Sequence, residues 1–107
     1  MNDGLTKLSK SDNKGAIEDF TKVIELQPTN HEAYYRRACC YFNTKNLKTS
    51  LSDFNKAIEL NPSYADAYYN RALLRNFMKD SNGACSDWKK AIKLGKPNIK
   101  DTFEFCR

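Results

Sequence analysis

The sequence predicts an all-α protein, a right-handed α-solenoid of about three helix-turn-helix repeats with a C-terminal capping helix. The first observation is self-similarity, because the run Ala33–Ala38 recurs as Ala67–Ala72, 34 residues later. The second is that Phe20–Pro28 recurs as Phe54–Pro62 at the same interval, and that a third copy of this run begins at Trp88. A fixed period of this length is typical of proteins built from stacked repeats.

The aligned columns also alternate in side-chain size, which is the third observation. One column holds small side chains and the column four positions later holds large aromatic ones, as closely packed helix pairs require. With 107 residues, the chain is expected to form a single domain over residues 1–107. The two columns are Ala16, Ser50 and Ala84, and Phe20, Phe54 and Trp88.

The first repeat is predicted to be partial and to span residues 1–30. A short helix over 2–10 would be followed by turn residues at Ser11–Asn13 and by a second helix over 14–26, where apolar side chains recur at helical spacing. Pro28 ends that helix, because the residue before a proline is disfavoured in the α region.

The second and third repeats are predicted to be complete, over residues 31–64 and 65–98, and residues 99–107 to form the cap. Gly95 fits the left-handed position that commonly ends a helix. The predicted helices of the two repeats cover 31–43, 47–60, 65–78 and 82–94.

Charged side chains three residues apart recur on the second helix of each repeat and predict faces exposed to solvent. The net charge of +5 permits an acidic partner without requiring one. A nucleic-acid partner is not favoured, because no basic stripe accompanies a recognised binding module. The three charged pairs are Asp19–Lys22, Asp53–Lys56 and Asp87–Lys90.

This pattern resembles the tetratricopeptide repeat family, whose signature is W-x₂-L-G-x₂-Y…A-x₃-F…P over 34 residues. Tyr34 and Tyr68 take the aromatic site, and Ala38 and Ala72 take the glycine site. The remaining matches are Tyr41, Ala16, Phe20, Ala84, Trp88, Pro28 and Pro62.

The chain departs from this signature in a few columns. Arg37 and Arg71 stand at the leucine site, and Arg75 stands at the second tyrosine site. Ser50 replaces one alanine, and the proline of the third copy is displaced by one position to Pro97.

The resemblance implies that the first helix of each pair lines a concave surface, where aromatic side chains beside Arg and Asn favour peptide binding. The alternative is that these aromatic side chains only pack against neighbouring repeats. The implied lining is Leu5, Leu8, Glu32, Tyr35, Arg36, Cys39, Phe42, Asn43, Asp66, Tyr69, Asn70, Leu73, Asn76 and Phe77.

Some family members clamp the C-terminal carboxylate of a chaperone with an asparagine in the middle repeat and a lysine and an arginine in the last. Here those sites hold Arg36, Asp66 and Asn70. Because the order differs and the lysine site is acidic, a carboxylate clamp is not expected.

The end of the chain resembles bacterial members of the family, in which a glycine, a cysteine and a tryptophan close the last repeat and another cysteine follows. Gly83, Cys85, Trp88 and Cys106 take these places. The resemblance implies a disulfide between Cys85 and Cys106, and the alternative is two buried thiols in a reducing cytosol.

Catalysis, cofactors and metals are not expected. His31 is the one histidine, and the four cysteines form no C-x-x-C pair, so no zinc pattern can be built. Glu32 follows His31 as in H-E-x-x-H, but the fifth residue is Tyr35.

The most favoured function is that of a protein-interaction module, not an enzyme, which binds a peptide segment or helix of another protein in its concave groove. The alternative is a structural, self-associating segment of a larger repeat array, which exposed Leu5, Leu8 and Ile17 would favour. RNA binding comes third. No run is long and apolar enough for membrane insertion. The compartment stays open, with a soluble cytoplasmic protein as the default and a periplasmic or secreted one if an upstream segment is missing.

Overall fold

The computed structural model describes residues 10–97 and Cys106, and these residues form five α-helices. Each helix packs mainly on its neighbour in sequence, and α2 also contacts α4, so the helices form a stacked array. The predicted all-α repeat architecture is confirmed. Within the described ranges, no helix is both long and apolar enough to cross a bilayer. The helices are α1 (Lys10–Leu26), α2 (His31–Asn43), α3 (Leu47–Leu60), α4 (Ala65–Phe77) and α5 (Ser81–Lys93).

Helix α1 begins earlier than the sequence predicted. The turn expected at Ser11–Asn13 is helical, and Asp12 lies in the first turn, where a negative side chain is stabilised by the helix dipole. The predicted helix over 2–10 lies outside the described residues except for Lys10, and so does the predicted cap over 99–107 except for Cys106.

The core repeats the small-against-large packing that the columns predicted. Ala38 packs with Phe54 and Leu74, and all three are buried. One repeat later, Ala72 packs with Ala84 and Trp88. Because an alanine faces an aromatic ring at both places, the paired helices approach closely.

Asp53 and Asp87 correct the prediction of exposed charge pairs, because both carboxylates are buried. Arg37 donates to the two oxygens of Asp53 at 2.7 and 2.9 Å, and Arg71 donates to those of Asp87 at 2.7 and 2.7 Å. The prediction failed because it considered one helix at a time, whereas these positions face the preceding helix. Lys56 instead lies 3.8 Å from Glu59.

Each of these arginines also forms a hydrogen bond with the helix that precedes its own helix in the chain. Arg37 donates to the Thr21 hydroxyl of α1 at 3.2 Å, and Arg71 donates to the Asn55 side chain of α3 at 2.8 Å. Arg75 adds a third contact to the second site, 3.0 Å from Asp87. Arg37 and Arg71, which stand at the leucine site of the family signature, therefore each connect three helices.

The adjacent residues Arg36 and Arg37 provide a test of this packing. We expect Arg37→Ala to lower the free energy of unfolding by about 3 kcal/mol, because it leaves Asp53 buried without its partner. Arg36→Ala should lower it by less than about 1 kcal/mol, because Arg36 and Glu32 are both substantially exposed. Urea denaturation followed by circular dichroism measures both. Equal losses would contradict this account, and removing Asp53 together with Arg37 should recover part of the loss.

The helix ends provide a second test. Lys79 and Gly95 each follow a helix with a positive φ, of 68° and 118°. At both ends two successive N–H groups bond back to the last turn, as in a Schellman motif. We expect Lys79→Gly to raise the free energy of unfolding by about 0.5 kcal/mol and Gly95→Ala to lower it by about 1 kcal/mol, because a β-carbon is strained at positive φ. Two changes of the same sign in urea denaturation would refute this explanation.

Candidate functional site

The predicted groove residues within the described part of the chain lie on α2 and α4. Leu5 and Leu8 fall outside it. Two contacts join the helices across the surface: the Asn70 side chain donates to the Tyr35 hydroxyl at 2.7 Å, and the rings of Phe42 and Phe77 lie 5.9 Å apart. We call the surface that the set occupies on these two helices the strip, and these two contacts connect its α2 and α4 sides.

Tyr35 lies in the middle of this strip and is only partly accessible. Its ring centroid is 4.9 Å from that of Tyr64 and 6.0 Å from that of Phe54. Burial strongly raises the pKa of the Tyr35 hydroxyl. Burial also raises the pKa of Tyr64, to about 12. Tyr35 thus has a packing role between helices, in addition to its place on the strip.

Charged side chains flank the strip as ion pairs. Arg36 donates through Nε to Glu32 at 2.9 Å, and both side chains are about half exposed. Lys96 lies 2.8 Å from Asp66, with its amine 5.4 Å from the ring centroid of Tyr69. Because positive and negative groups are paired along the surface, neither sign of charge dominates it.

The other end of the strip is more apolar. Phe77 is 52% exposed, beside Phe42, and the Lys45 amine lies 5.0 Å from its ring centroid. Asn43 turns toward α1 and donates to the Asn13 side chain at 3.4 Å. Phe77 is therefore the large apolar side chain that this surface presents most openly to solvent.

The remaining predicted residues are less accessible. Leu73 packs beside the cluster that contains Trp88 and Cys106, and Asn76 is half-buried. Burial raises the pKa of the Cys39 thiol to about 12. Cys40, its neighbour, is buried.

A cleft of about 310 Å³ separates α1 from α2 and runs from Phe20 past Arg36 and Cys39 to Asn43. A second cleft of about 200 Å³ shares Phe20 and Arg36 with it. The sequence analysis assigned no binding role to the walls that α1 contributes. No signal in the sequence marks these walls, because the partial exposure of Phe20, against the full burial of Phe54, is seen only in the structure.

A disulfide joins Cys85 of α5 to Cys106, with 5.4 Å between the Cα atoms. Cys106 packs against the cluster around Trp88. Closing a loop of 21 residues stabilises a fold by roughly 3 kcal/mol in the chain-entropy account. Among the described residues, no group of three or more His, Cys, Asp or Glu side chains is arranged to hold a metal ion.

The sequence matches profiles of the tetratricopeptide repeat over residues 31–64 and over residues 54–86. The two matches together extend over more than half of the chain. The chain belongs to the tetratricopeptide repeat (TPR) family. Among curated proteins, none matches it. The resemblance of the chain's end to bacterial members of this family stays a prediction.

Solved TPR structures superpose on the chain. The first TPR domain of Spaghetti (RPAP3), bound to the HSP90 peptide SRMEEVD, is 29% identical with a TM-score of 0.82, over 96% of this chain and 79% of that one. YrrB, a TPR protein with an unusual peptide-binding site, is 27% identical with a TM-score of 0.74, over 79% and 44%. The TPR domain of Arabidopsis OM64 is 22% identical with a TM-score of 0.84, over 91% and 82%, and supports the fold alone.

Alkylation of the native protein tests the state of the cysteines. With a pKa of about 12, roughly one Cys39 side chain in ten thousand is a thiolate at pH 8, so iodoacetamide should modify it at least about a hundredfold more slowly than in the unfolded chain. The rate should rise as the pH approaches 12. Without reductant, Cys85 and Cys106 should stay unmodified. Mass spectrometry locates the adducts, and Cys39 reacting at the same rate in folded and unfolded protein would contradict the burial argument.

Proposed function

We propose that this chain is a protein-interaction module, without catalytic activity of its own, that binds a peptide segment or helix of another protein along α2 and α4. The observation that carries the proposal is the strip on these helices, which is joined across α2 and α4 by the Tyr35–Asn70 and Phe42–Phe77 contacts and has Phe77 half exposed at one end. Aromatic side chains give contact area at small entropic loss, and they dominate peptide-binding surfaces. The TPR relatives that bind peptides support the same reading.

The expected ligand differs from the acidic peptide bound by the RPAP3 domain. Asp66 stands at the lysine site of the carboxylate clamp, and Lys96 is already paired with it at 2.8 Å. A ligand carboxylate would therefore meet a neutralised surface. We propose that apolar and aromatic side chains of the partner provide most of the contact, and that the peptide SRMEEVD binds this chain weakly.

Self-association is the second candidate function. Phe20 and Val23 of α1 are partly exposed, whereas their counterparts Phe54 and Ala57 are buried. The same face could pack on another copy. Sedimentation velocity at rising concentration distinguishes this candidate, because only self-association increases the mass.

Phe77→Ala tests the strip, and Leu26→Ala is the matched control, because Leu26 is an exposed apolar residue on α1. Partners retained from source lysate by the wild type should be retained about tenfold less by Phe77→Ala and equally by Leu26→Ala. Circular dichroism should first establish that both variants fold. For a retained partner, hydrogen exchange should slow in α2 and α4 on binding. Equal retention by all three proteins would refute the proposed surface.

A further inference from the structure

The two core clusters of the array receive their last contact from different places. In the inner cluster, Ala38 and Phe54 pack with Leu74, which belongs to the first helix of the next repeat. The outer cluster lies one repeat later, around Trp88, and there Cys106 packs against it. Cys106 therefore supplies at the outer cluster a contact from beyond the repeat, as Leu74 does at the inner one.

Leu74 and Cys106 differ in what holds them against their clusters. Leu74 lies within α4, which the bidentate pair of Arg71 and Asp87 joins to α5. Cys106 lies outside the five helices, and a disulfide with Cys85 ties it to α5. Because one small side chain buries little apolar area, the disulfide is the main attachment of Cys106 to the described residues.

The disulfide lies where a reductant reaches it in the folded protein. Cys85 and Cys106 are both partly exposed, and exchange requires a thiolate to approach one of the two sulfurs. The first thiolate of a dithiol forms a mixed disulfide and releases one cysteine as a thiolate. The second thiol then displaces the other cysteine. The protein gains two electrons and two protons, and the dithiol becomes a disulfide.

The cluster beside the disulfide is shared with the strip. Tyr69 and Leu73, which belong to the strip, pack against the same cluster as Cys106. A contact that fixes this cluster therefore also supports the α4 side of the strip. Lys96 is held separately, because its backbone N–H bonds to the end of α5, so its ion pair with Asp66 does not depend on the disulfide.

We propose that the disulfide between Cys85 and Cys106 is a redox switch that controls the strip. In the oxidised protein, Cys106 is held on the Trp88 cluster, and α4 and α5 keep a fixed geometry. When a dithiol reduces the disulfide, Cys106 leaves the cluster, solvent reaches Trp88, and the α4 side of the strip loses part of its support. A peptide bound along the strip is then held less tightly, a last step that rests on the proposed function.

Trp88 is the one tryptophan of the sequence, so its fluorescence reports on the switch without any ligand. The oxidised protein is compared with protein reduced by dithiothreitol under native conditions, in which alkylation and mass spectrometry should find two new free thiols. Acrylamide should quench Trp88 about twofold more strongly in the reduced protein, because local opening lets the quencher approach the ring.

Hydrogen exchange shows where the structure loosens. Amides in the second half of α4 and in α5 should exchange at least about tenfold faster after reduction, because the cross-link no longer opposes local opening. Amides of α2 and α3 should change by less than about twofold, since Cys106 packs against the outer cluster and not the inner one.

Cys106→Ser is the matched variant, because it removes the disulfide and keeps a side chain of similar size. It should behave as the reduced wild type does, and dithiothreitol should change it no further. Among the partners whose retention depends on Phe77, the oxidised wild type should retain about threefold more than Cys106→Ser, because a fixed surface loses less entropy on binding.

The possible failures are distinguishable. Equal quenching and equal exchange in the oxidised and reduced protein would overturn the switch, and so would a disulfide that dithiothreitol reduces only after unfolding. Faster exchange in all helices alike would also overturn it, because the disulfide would then be a general stabiliser of the fold. A response of Trp88 with equal retention by wild type and Cys106→Ser would overturn the link to the strip. Equal retention by Phe77→Ala would instead count against the proposed function.

Discussion

The array depends on two buried arginine–aspartate pairs that repeat at the same interval as the helices. Arg37 joins α1, α2 and α3 through Asp53 and Thr21, and Arg71 joins α3, α4 and α5 in the same way. A bidentate pair has a defined geometry, so it fixes how neighbouring helices are oriented as well as how close they lie. A leucine at this site would bury apolar area but would specify no direction. The alanine-to-aromatic contacts of the core then complete packing that the polar pairs have oriented.

The strip on α2 and α4 follows from this arrangement. Its charged groups are paired within the chain, as Glu32 with Arg36 and Asp66 with Lys96, and Asn70 bonds to Tyr35. A ligand that competed for these groups would have to break existing contacts. The net gain on binding therefore comes mainly from apolar area, and a polyanion such as RNA finds few uncompensated cations there.

The 34-residue period predicted the helices of the array and the columns of its core, because both depend on apolar spacing along one helix. It did not predict the burial of Asp53, whose partner Arg37 lies 16 positions away on another helix. A signal was nevertheless present, since arginine replaces the family's leucine in both repeats that carry a buried aspartate. The bond between Tyr35 and Asn70 spans 35 positions and leaves no local pattern. Cavities between helices are likewise not a property of any single column.

The junction between α1 and α2 and the junction between α3 and α4 are equivalent by the 34-residue period, and they share only part of their packing. Phe20 matches Phe54 and Ala33 matches Ala67, whereas Val23 stands where the other junction has Ala57. The rim differs, because Arg36 replaces an amide donor and an asparagine replaces Tyr64. Because Asn30 and Arg36 lie outside the buried core, substitutions at these positions change stability little. The two junctions are therefore most alike where the helices must pack, and they differ most at the opening between the helices, where a substitution disturbs the core least.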